Sequence, residues 1–346
     1  MTTFQSVHRL LASRTAAAVA IAAAALVGTA SLTPVAATSP GVNGQIVFMR
    51  ADANGFWQVW RANPDLRASA KLTDGPADSG WAVWSPDGSR IAFDSDRTDP
   101  DLGDAKVIND VFTVRADGTD LVKLTDSIGF AGDPGWSPDG QLITFDKAEL
   151  GVFVASAVDG SGRRKLTWPA AGELDSSPRF SPTGTQIVFT RFRGGHFLRN
   201  GRLVGDTSAL FVVGVDGSGL HRVTGWGNRV GDADWSPDGK LLVFEQVGEY
   251  PGPTDIMTVR ADGGSLAQVT SGVGIEGSGK GFKFEGFYDP VWSPDGAKIL
   301  VGHGIIGPDG YTVGLATINP DGSGLAWASA NPQVEHQPDW GTAPLQ

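Results

Sequence analysis

The sequence predicts an all-β fold, a six-bladed β-propeller of four-stranded blades, and three observations carry that reading. One phrase recurs five times, as "WSPDGSRIAF" from Trp84, "WSPDGQLITF" from Trp136, "FSPTGTQIVF" from Phe180, "WSPDGKLLVF" from Trp235 and "WSPDGAKILV" from Trp292. A second turn built on Asp-Gly follows each copy. The strand inventory also lacks one piece at its beginning and has a spare at its end, which a closed ring resolves.

The repeat fixes the first hairpin. The aromatics Trp84, Trp136, Phe180, Trp235, Trp292 and Trp340 stand 52, 44, 55, 57 and 48 residues apart, a period with elastic loops. Seven residues after each of the first five comes an aliphatic (Ile91, Ile143, Ile187, Leu242, Ile299), and two further on another apolar residue (Phe93, Phe145, Phe189, Phe244, Val301). Such alternation after a tight turn describes a strand. In "SPDG", Pro86 presets the second turn position, Asp87 tolerates the third and Gly88 leads into the next strand. Trp84 and Ile91 therefore belong to antiparallel strands of one hairpin, with the aromatics expected to pack between blades.

The second hairpin turns at "RADGTD" (Asp117), "AVDGSG" (Asp159), "GVDGSG" (Asp216), "RADGGS" (Asp262) and "NPDGSG" (Asp321), with a degenerate "NPDLRA" at Asp65. Asp-Gly between alternating apolar residues is a strong hairpin signal. Each unit thus holds strands A (aromatic), B ("IAF"), C (such as "DVFTVRA") and D ("KLT"). "GQIVFMR" at 44–50 supplies a B strand before any A strand exists, and the sixth aromatic, Trp340, sits in the last segment. Pairing Trp340's strand with Ile46's strand completes the first blade. Strand alternation then puts the short A–B and C–D turns on one end of the ring. The variable B–C loops and the blade connections fall on the other.

"DPGWSPDGQLITF", "ADWSPDGKLLVF" and "PVWSPDGAKILV" resemble the repeats of the TolB-type propellers, a WD40-like (PD40) six-bladed family, over about Gln45 to Trp340. That resemblance implies a fold more than an activity. Members of the family bind a peptidoglycan-associated lipoprotein in the periplasm, gate prolyl-oligopeptidase-type peptidases, or form polysaccharide lyases. Neither an α/β domain before the propeller nor a serine hydrolase domain after Trp340 is expected in this chain.

Composition agrees with a turn-rich, folded, exported chain. Gly 48 and Pro 21 imply many turns, and 40% hydrophobic residues with 11 Trp exclude disorder. His8, Arg9 and Arg14 precede the apolar run Ala16 to Ala30, with small residues ahead of a cleavage point after Ala30 or Ala37. The run is shorter than the roughly 20 residues that span a bilayer, so residues 1–37 read as a signal peptide and 38–346 as a single propeller domain. The expected location is secreted, periplasmic or cell-envelope, with no stable membrane insertion of the mature chain. An uncleaved N-terminal anchor is the alternative. Cysteine is absent, which excludes disulfides and thiol catalysis. The net charge of −11 becomes −13 once Arg9 and Arg14 leave with the leader, which disfavours nucleic acid.

No catalytic set stands out. Gly-x-Ser-x-Gly does not occur, and "GIEGSGKG" from Gly274 lacks the Ser or Thr of a phosphate-binding loop. The histidines are scattered, with His336 beside Glu335 the first suspects for a metal at the ring mouth. The six aspartates of Asp94 to Asp110 would suit Ca²⁺ but lack the calcium-loop spacing, so an acidic solvated loop is the other reading. No cofactor is expected, and Ca²⁺ is the one ion these stretches would admit.

Three residues before each aromatic stand Trp81, Asp133, Ser177, Asp232, Asp289 and Gln337, with Asp175 and Glu335 slightly earlier in their strands. Trp81, Asp133, Asp175, Asp232, Asp289, Glu335 and His336 are the candidate channel-mouth residues. Their carboxylates would either hold a cation, a basic peptide or sugar hydroxyls, or bond backbone amides of adjacent blades. The loop face offers "RFRGGHFLRNGRLVGD" at 191–206 and a long loop at 271–289, with Arg191, Arg193, His196, Arg199 and Phe284 as candidates. Insertion without function is the other account of those loops. The function expected is non-catalytic binding of a protein, peptide or cell-envelope glycan by a monomer. The alternative is a polysaccharide-acting lyase or hydrolase using mouth carboxylates with His336 or Arg193.

Overall fold

The computed structural model describes residues 41–99, 109–126, 130–147, 150–194, 196–197, 203–204, 207–227, 229–248, 252–272, 274, 284–307, 310–328 and 334–342. The segment read as a signal peptide, most of the acidic 94–110 stretch, Arg199 and residues 275–283 lie outside them. Among the described residues every regular element is a strand, and no helix is long and apolar enough to cross a membrane.

Six four-stranded antiparallel sheets form the ring. Five take strands A to D in chain order, with A strands Ser79–Trp84, Ala131–Trp136, Glu173–Phe180, Arg229–Trp235 and Phe284–Trp292 in blades 2 to 6. Their B strands are Arg90–Ser95, Leu142–Lys147, Gln186–Arg193, Leu241–Val247 and Ile299–Gly307. Blade 1 is assembled from both ends of the ring: Glu335–Thr342 is its A strand, beside Asn43–Ala51 as B, Trp57–Ala62 as C and Ala70–Lys71 as D. The closing register puts Ile46 opposite Trp340, the pairing the strand inventory required. Blade 4 carries an extra two-stranded hairpin, His196–Phe197 with Leu203–Val204, within its B–C insertion.

The repeated phrase makes the same hairpin each time. Trp84 pairs with Ile91, Trp136 with Ile143, Phe180 with Ile187, Trp235 with Leu242 and Trp292 with Ile299. The turn holds itself with side chains. The Ser85 hydroxyl donates to Asp87 Oδ1 (2.7 Å) and accepts the Arg90 amide (2.9 Å), while Asp87 Oδ1 accepts the Ser89 amide (3.0 Å). Ser137 with Asp139, Ser236 with Asp238 and Ser293 with Asp295 repeat the bond. Asp87 is thus an active acceptor that competes for turn amides.

The threonine of each "KLT" segment has an equally specific role. Its hydroxyl accepts a C-strand amide at 2.8–2.9 Å: Thr73 from Val59, Thr125 from Val111, Thr167 from Val152, Thr224 from Leu210 and Thr270 from Ile256. These buried amides would otherwise lack a partner where the D strand is only two residues long.

The apolar core lies between blades. One cluster joins Val188, Leu210 and Val212 of blade 4 to Trp235, Leu242 and Phe244 of blade 5, and another joins Val47 and Val59 of blade 1 to Trp84, Ile91 and Phe93 of blade 2. The aromatics lean on the A strand of the preceding blade: Trp136 Nε1 donates to Val83 O and Trp235 Nε1 to Arg179 O, each at 3.2 Å. Trp84 lies so close over Gly341 of blade 1 that a Cβ there would stand 2.6 Å from its ring. Gly341→Ala is therefore expected to lower stability by about 1–3 kcal/mol, the usual cost of overpacking, through the closing blade. Urea denaturation followed by tryptophan fluorescence measures it, and an unchanged midpoint would contradict the packing.

Candidate functional site

The inner strands share a backbone feature that no side-chain pattern announces. Trp81, Asp133, Ser177, Asp232, Asp289 and Gln337 all adopt a left-handed φ of 46–52°. Each sits where the A–B register slips, as between Gly80 and Val83 or Gly231 and Asp234. Such a conformation costs on the order of 1–2 kcal/mol per non-glycine residue, so six of them require a compensating gain. The bulge turns the inner amides toward side chains of the preceding blade. Trp81 N donates to Gln337 Oε1 (3.2 Å), Ser177 N to Asp133 Oδ2 (3.1 Å), Asp289 N to Glu245 Oε2 (3.4 Å) and Gln337 N to Asp289 Oδ2 (3.0 Å). Three residues further along, Trp84 N donates to Asp339 Oδ2 (2.8 Å) and Trp292 N to Asp234 Oδ2 (2.9 Å). The channel carboxylates therefore stitch blade to blade.

They also face one another. A cavity of about 380 Å³, counted with its open mouth, is lined by Trp81, Ser177, Arg179, Asp232, Asp289 and Gln337 among others. One oxygen each from Asp232, Glu245 and Asp289 lie within 4.8 Å of one another. Ser177 Oγ lies 2.7 Å from Asp232 Oδ1 and 3.0 Å from Asp133 Oδ2, so one hydroxyl proton serves two carboxylates. Burial, then the Asp232 charge, pushes Asp133 and Asp289 each up to about 7. Burial raises Asp232, and burial with the charges of Asp232 and Asp289 holds Glu245 well above the usual carboxylate range. Arg179 draws Asp133 and Asp232 back down, while its Nη1 donates to the carbonyls of Pro134 (3.2 Å) and Pro178 (3.1 Å).

The other predicted residues are placed elsewhere. Asp175 is gripped by Arg191, Nε to Oδ1 at 2.5 Å and Nη2 to Oδ2 at 2.7 Å, and by the Thr167 hydroxyl at 2.6 Å, all buried. Glu335 is bound to Arg50 at 2.6 Å. Neither lines the cavity. His336 packs edge-on to Trp57 (5.4 Å) and tilted to Tyr288 (5.5 Å), its Nε2 has no hydrogen-bond partner among the described residues, and burial drops it to about 4. Arg193 stacks 3.6 Å over the Trp226 ring and bonds Glu173 at 2.7 Å. Phe284 opens the blade 6 A strand, half-buried, opposite Ile306. The side chain of His196 and all of Arg199 lie outside the described residues.

Glu245, Arg179 and Asp146 went unseen in the sequence. Asp94, Asp146, Thr190 and Glu245 each follow the second apolar residue of a B strand, a repeat position in its own right. Asp94 corrects a boundary: read as the first residue of an acidic solvated loop, it is 4% exposed within its B strand, and Asp110 at the other end of that stretch is 1% exposed. Neither carboxylate oxygen of Asp146 has a hydrogen-bond partner among the described residues. Burial first, and then the Asp133 charge, raises both Asp94 and Asp146 far above the usual range.

Two consequences are measurable. Arg191→Met strands the Asp175 carboxylate in a buried site and is expected to cost about 3–5 kcal/mol in chemical denaturation, whereas adding Asp175→Leu recovers much of it. Asp339, raised by burial to about 6, holds its proton in the folded state at pH values where the unfolded chain has released it. Wild-type stability from this group is thus lost as pH rises from about 4 to 6. Asp339→Asn keeps an acceptor for Trp84 N, so its stability relative to wild type is expected to rise across that window by up to about 3 kcal/mol. A pH-independent difference in urea midpoints would contradict the raised value.

Comparison with known proteins matches this architecture. Residues 24–196 match the family described as the TolB beta propeller domain. An uncharacterised protein of Agrobacterium fabrum is 26% identical over 183 residues, 52% of this chain and 59% of that protein. An uncharacterised peptidase of Bacillus subtilis, YuxL, is 30% identical over 186 residues, 54% of this chain and 24% of its own length. The chain thus spans well under two thirds of either relative. The crystal structure of TolB from Acinetobacter baumannii superimposes with a TM-score of 0.63 at 15% identity, covering 87% of this chain and 67% of that one. With the matched half of the sequence and the closed six-bladed ring in agreement, this chain belongs to the TolB beta propeller domain family.

Proposed function

We propose that this chain is an exported, non-catalytic propeller that binds a protein of the cell envelope through its loop-rich face. The observation that carries the reading is the Arg193 guanidinium stacked on Trp226 and anchored by Glu173, with the Arg193 side chain half exposed. Strand B ends at Arg193, strand A begins at Glu173, and Trp226 lies in the connection to blade 5, so all three stand on the end with the variable loops. Arginine and tryptophan held in a fixed pose lose little entropy on binding and are the residue types that dominate protein interfaces. The channel mouth, acidic and narrow, would receive a cationic or hydrogen-bond-donating group from the same partner.

Export rests on the basic start and the apolar run ending at Ala30, and the TolB family match supports it. N-terminal sequencing of the secreted or periplasmic protein is expected to begin at Ser31 or Thr38. A chain still starting at Met1 in the soluble fraction would end the export reading. For the binding reading, capture from an envelope fraction is compared between wild type and an Arg193→Ala, Trp226→Ala variant of equal stability. The expected result is at least a tenfold loss of the captured protein, and equal capture removes this face from consideration. Displacement by purified envelope glycan would identify a sugar ligand instead.

A polysaccharide-acting lyase or hydrolase is the second reading, favoured by the close carboxylates of Asp232, Glu245 and Asp289 beside a cavity. Glycoside hydrolysis uses a carboxylate pair about 5–9.5 Å apart with water or sugar between them. Here each carboxylate is committed to an interblade bond, which argues for a structural role. Polysaccharide breakdown abolished by Asp232→Asn would displace the binding reading.

A further inference from the structure

We propose that the outer rim of blade 3, where Lys165 and Trp168 stand beside Arg163 and Arg164, docks an acidic segment of a protein partner laid along the exposed edge of that blade. This deepens the binding reading: that the partner is a protein of the cell envelope rests on it, while the patch and its preference for acid do not.

Three blades carry a lysine at the same place, just before the "LT" of the D strand: Lys71, Lys123 and Lys165. In blades 1 and 2 it is neutralised by the aspartate three residues on and by a second acid nearby. Lys71 bonds Asp74 and stands 3.8 Å from Asp52, and Lys123 bonds Asp126 at 3.0 Å and Asp110 at 2.8 Å. Blade 3 has neither acid. Trp168 stands where Asp74 and Asp126 stand, and Gly151 stands where Asp110 does, just ahead of the C-strand amide that the threonine receives. An aspartate has no room there: Gly151 has a φ of +100°, and a Cβ on it would lie 2.7 Å from two Thr167 oxygens and 2.8 Å from Pro169 Cδ. Lys165 lies instead over the Phe153 ring at 6.0 Å and the Trp168 ring at 5.5 Å.

Uncompensated positive charge is the result, on a chain of net charge −11. Arg163 and Arg164 are exposed, Arg163 lies over the Phe145 ring at 5.7 Å, and Arg164 donates to the Val215 carbonyl at 2.7 Å. None of the three cations has an acid paired with it among the described residues. Burial, then the Arg163 charge, holds nearby Lys147 below the usual lysine range. Apolar surface flanks the charge: Trp168 is 67% exposed, and Leu150, just before Gly151, is 44% exposed. A carboxylate-bearing partner complements such a patch. The strand edge makes that partner a peptide. Arg164–Lys165 is the outermost strand of its sheet. Leu166 N bonds Val152 O and Arg164 lies opposite Val154 in the same register, so the N–H and C=O of Lys165 point outward. An open edge takes a peptide backbone, which a glycan lacks. The patch also continues toward the loop face, since Ala170 N, two residues past Trp168, donates at 3.3 Å to Glu173, the residue that anchors Arg193.

The test is fluorescence anisotropy of a labelled oligo-glutamate peptide titrated with the purified protein at low salt. Saturable binding that weakens as NaCl is added is expected of the wild type. Trp168→Asp restores the pairing found in blades 1 and 2 at an exposed position, so it is expected to keep the wild-type urea midpoint and to bind at least about tenfold more weakly. A double variant, Arg163→Ala with Lys165→Ala, is expected to lose binding to a similar degree, whereas Lys240→Ala, on an exposed turn of blade 5, is expected to bind as wild type does. Absence of saturable binding overturns the proposal, as does wild-type affinity in Trp168→Asp or an equal loss in Lys240→Ala. Polygalacturonate displacing the peptide at a lower concentration of carboxylate would assign the patch to an acidic glycan and overturn it too. The two readings can fail separately. Peptide binding that Trp168→Asp removes supports the patch even where Arg193→Ala, Trp226→Ala leaves envelope capture unchanged, and the opposite pair of results removes the patch and leaves the loop-face reading in place.

Discussion

The ring stands on one pairing, the strand Glu335–Thr342 against Asn43–Ala51. An open six-sheet fan would leave the B strand of blade 1 without its inner neighbour and expose a row of unpaired amides. Closing it joins the two ends of the described chain in one sheet, and each blade then has a neighbour on both flanks. The contacts of blade 1's inner strand with blades 2 and 6 presuppose that closure. Trp84 can pack on Gly341, and Trp84 N can donate to Asp339, because a C-terminal strand has been placed beside blade 2.

Closure fixes how the inner strands must run. Six strands converging on a narrow axis cannot all stay extended, and the left-handed residue at one level of each A strand absorbs the mismatch. The strain is repaid by amides that reach the preceding blade, so the same bulge that bends the strand also fastens the ring. Carboxylates are suited to this work because they accept strongly from backbone donors. The consequence is an inward accumulation of acid that the blades individually do not need.

What could be read from the sequence follows the reach of local chemistry. The Trp84–Ile91 register was legible because a four-residue turn with its own hydrogen bonds fixes pairing on both sides, and Ile46 against Trp340 followed from counting strands. Asp94 was not legible, because whether a chain leaves its strand before or after a polar residue depends on the neighbouring blade that buries it. The shared φ of Trp81, Ser177 and Gln337 was equally hidden: these side chains have no common preference for a left-handed backbone, and the ring imposes it. Asp175 and Glu335 carried the right chemistry for a mouth but have Arg191 and Arg50 in reach, a pairing set by registers across strands and not by spacing along them. Glu245 needed the fold itself, since it approaches Asp289 from a different blade.

The same geometry separates support from recognition. On the end bearing the "SPDG" and "DG" turns, Ser, Asp and Gly are consumed by turn hydrogen bonds, and little side-chain chemistry is left over. On the opposite end the turns are not standardised; Arg193 is held against Trp226 and its side chain remains half accessible. Between the two ends the channel wall gathers carboxylates at low dielectric, where a proton, a guanidinium or a metal ion changes the energy of several blade junctions at once. Asp289 joins several roles in one residue: its backbone bends blade 6, its Oδ2 holds blade 1, and its carboxylate stands beside those of Asp232 and Glu245. Any ligand that neutralises that carboxylate therefore acts on the fastening of the ring as well as on its own site.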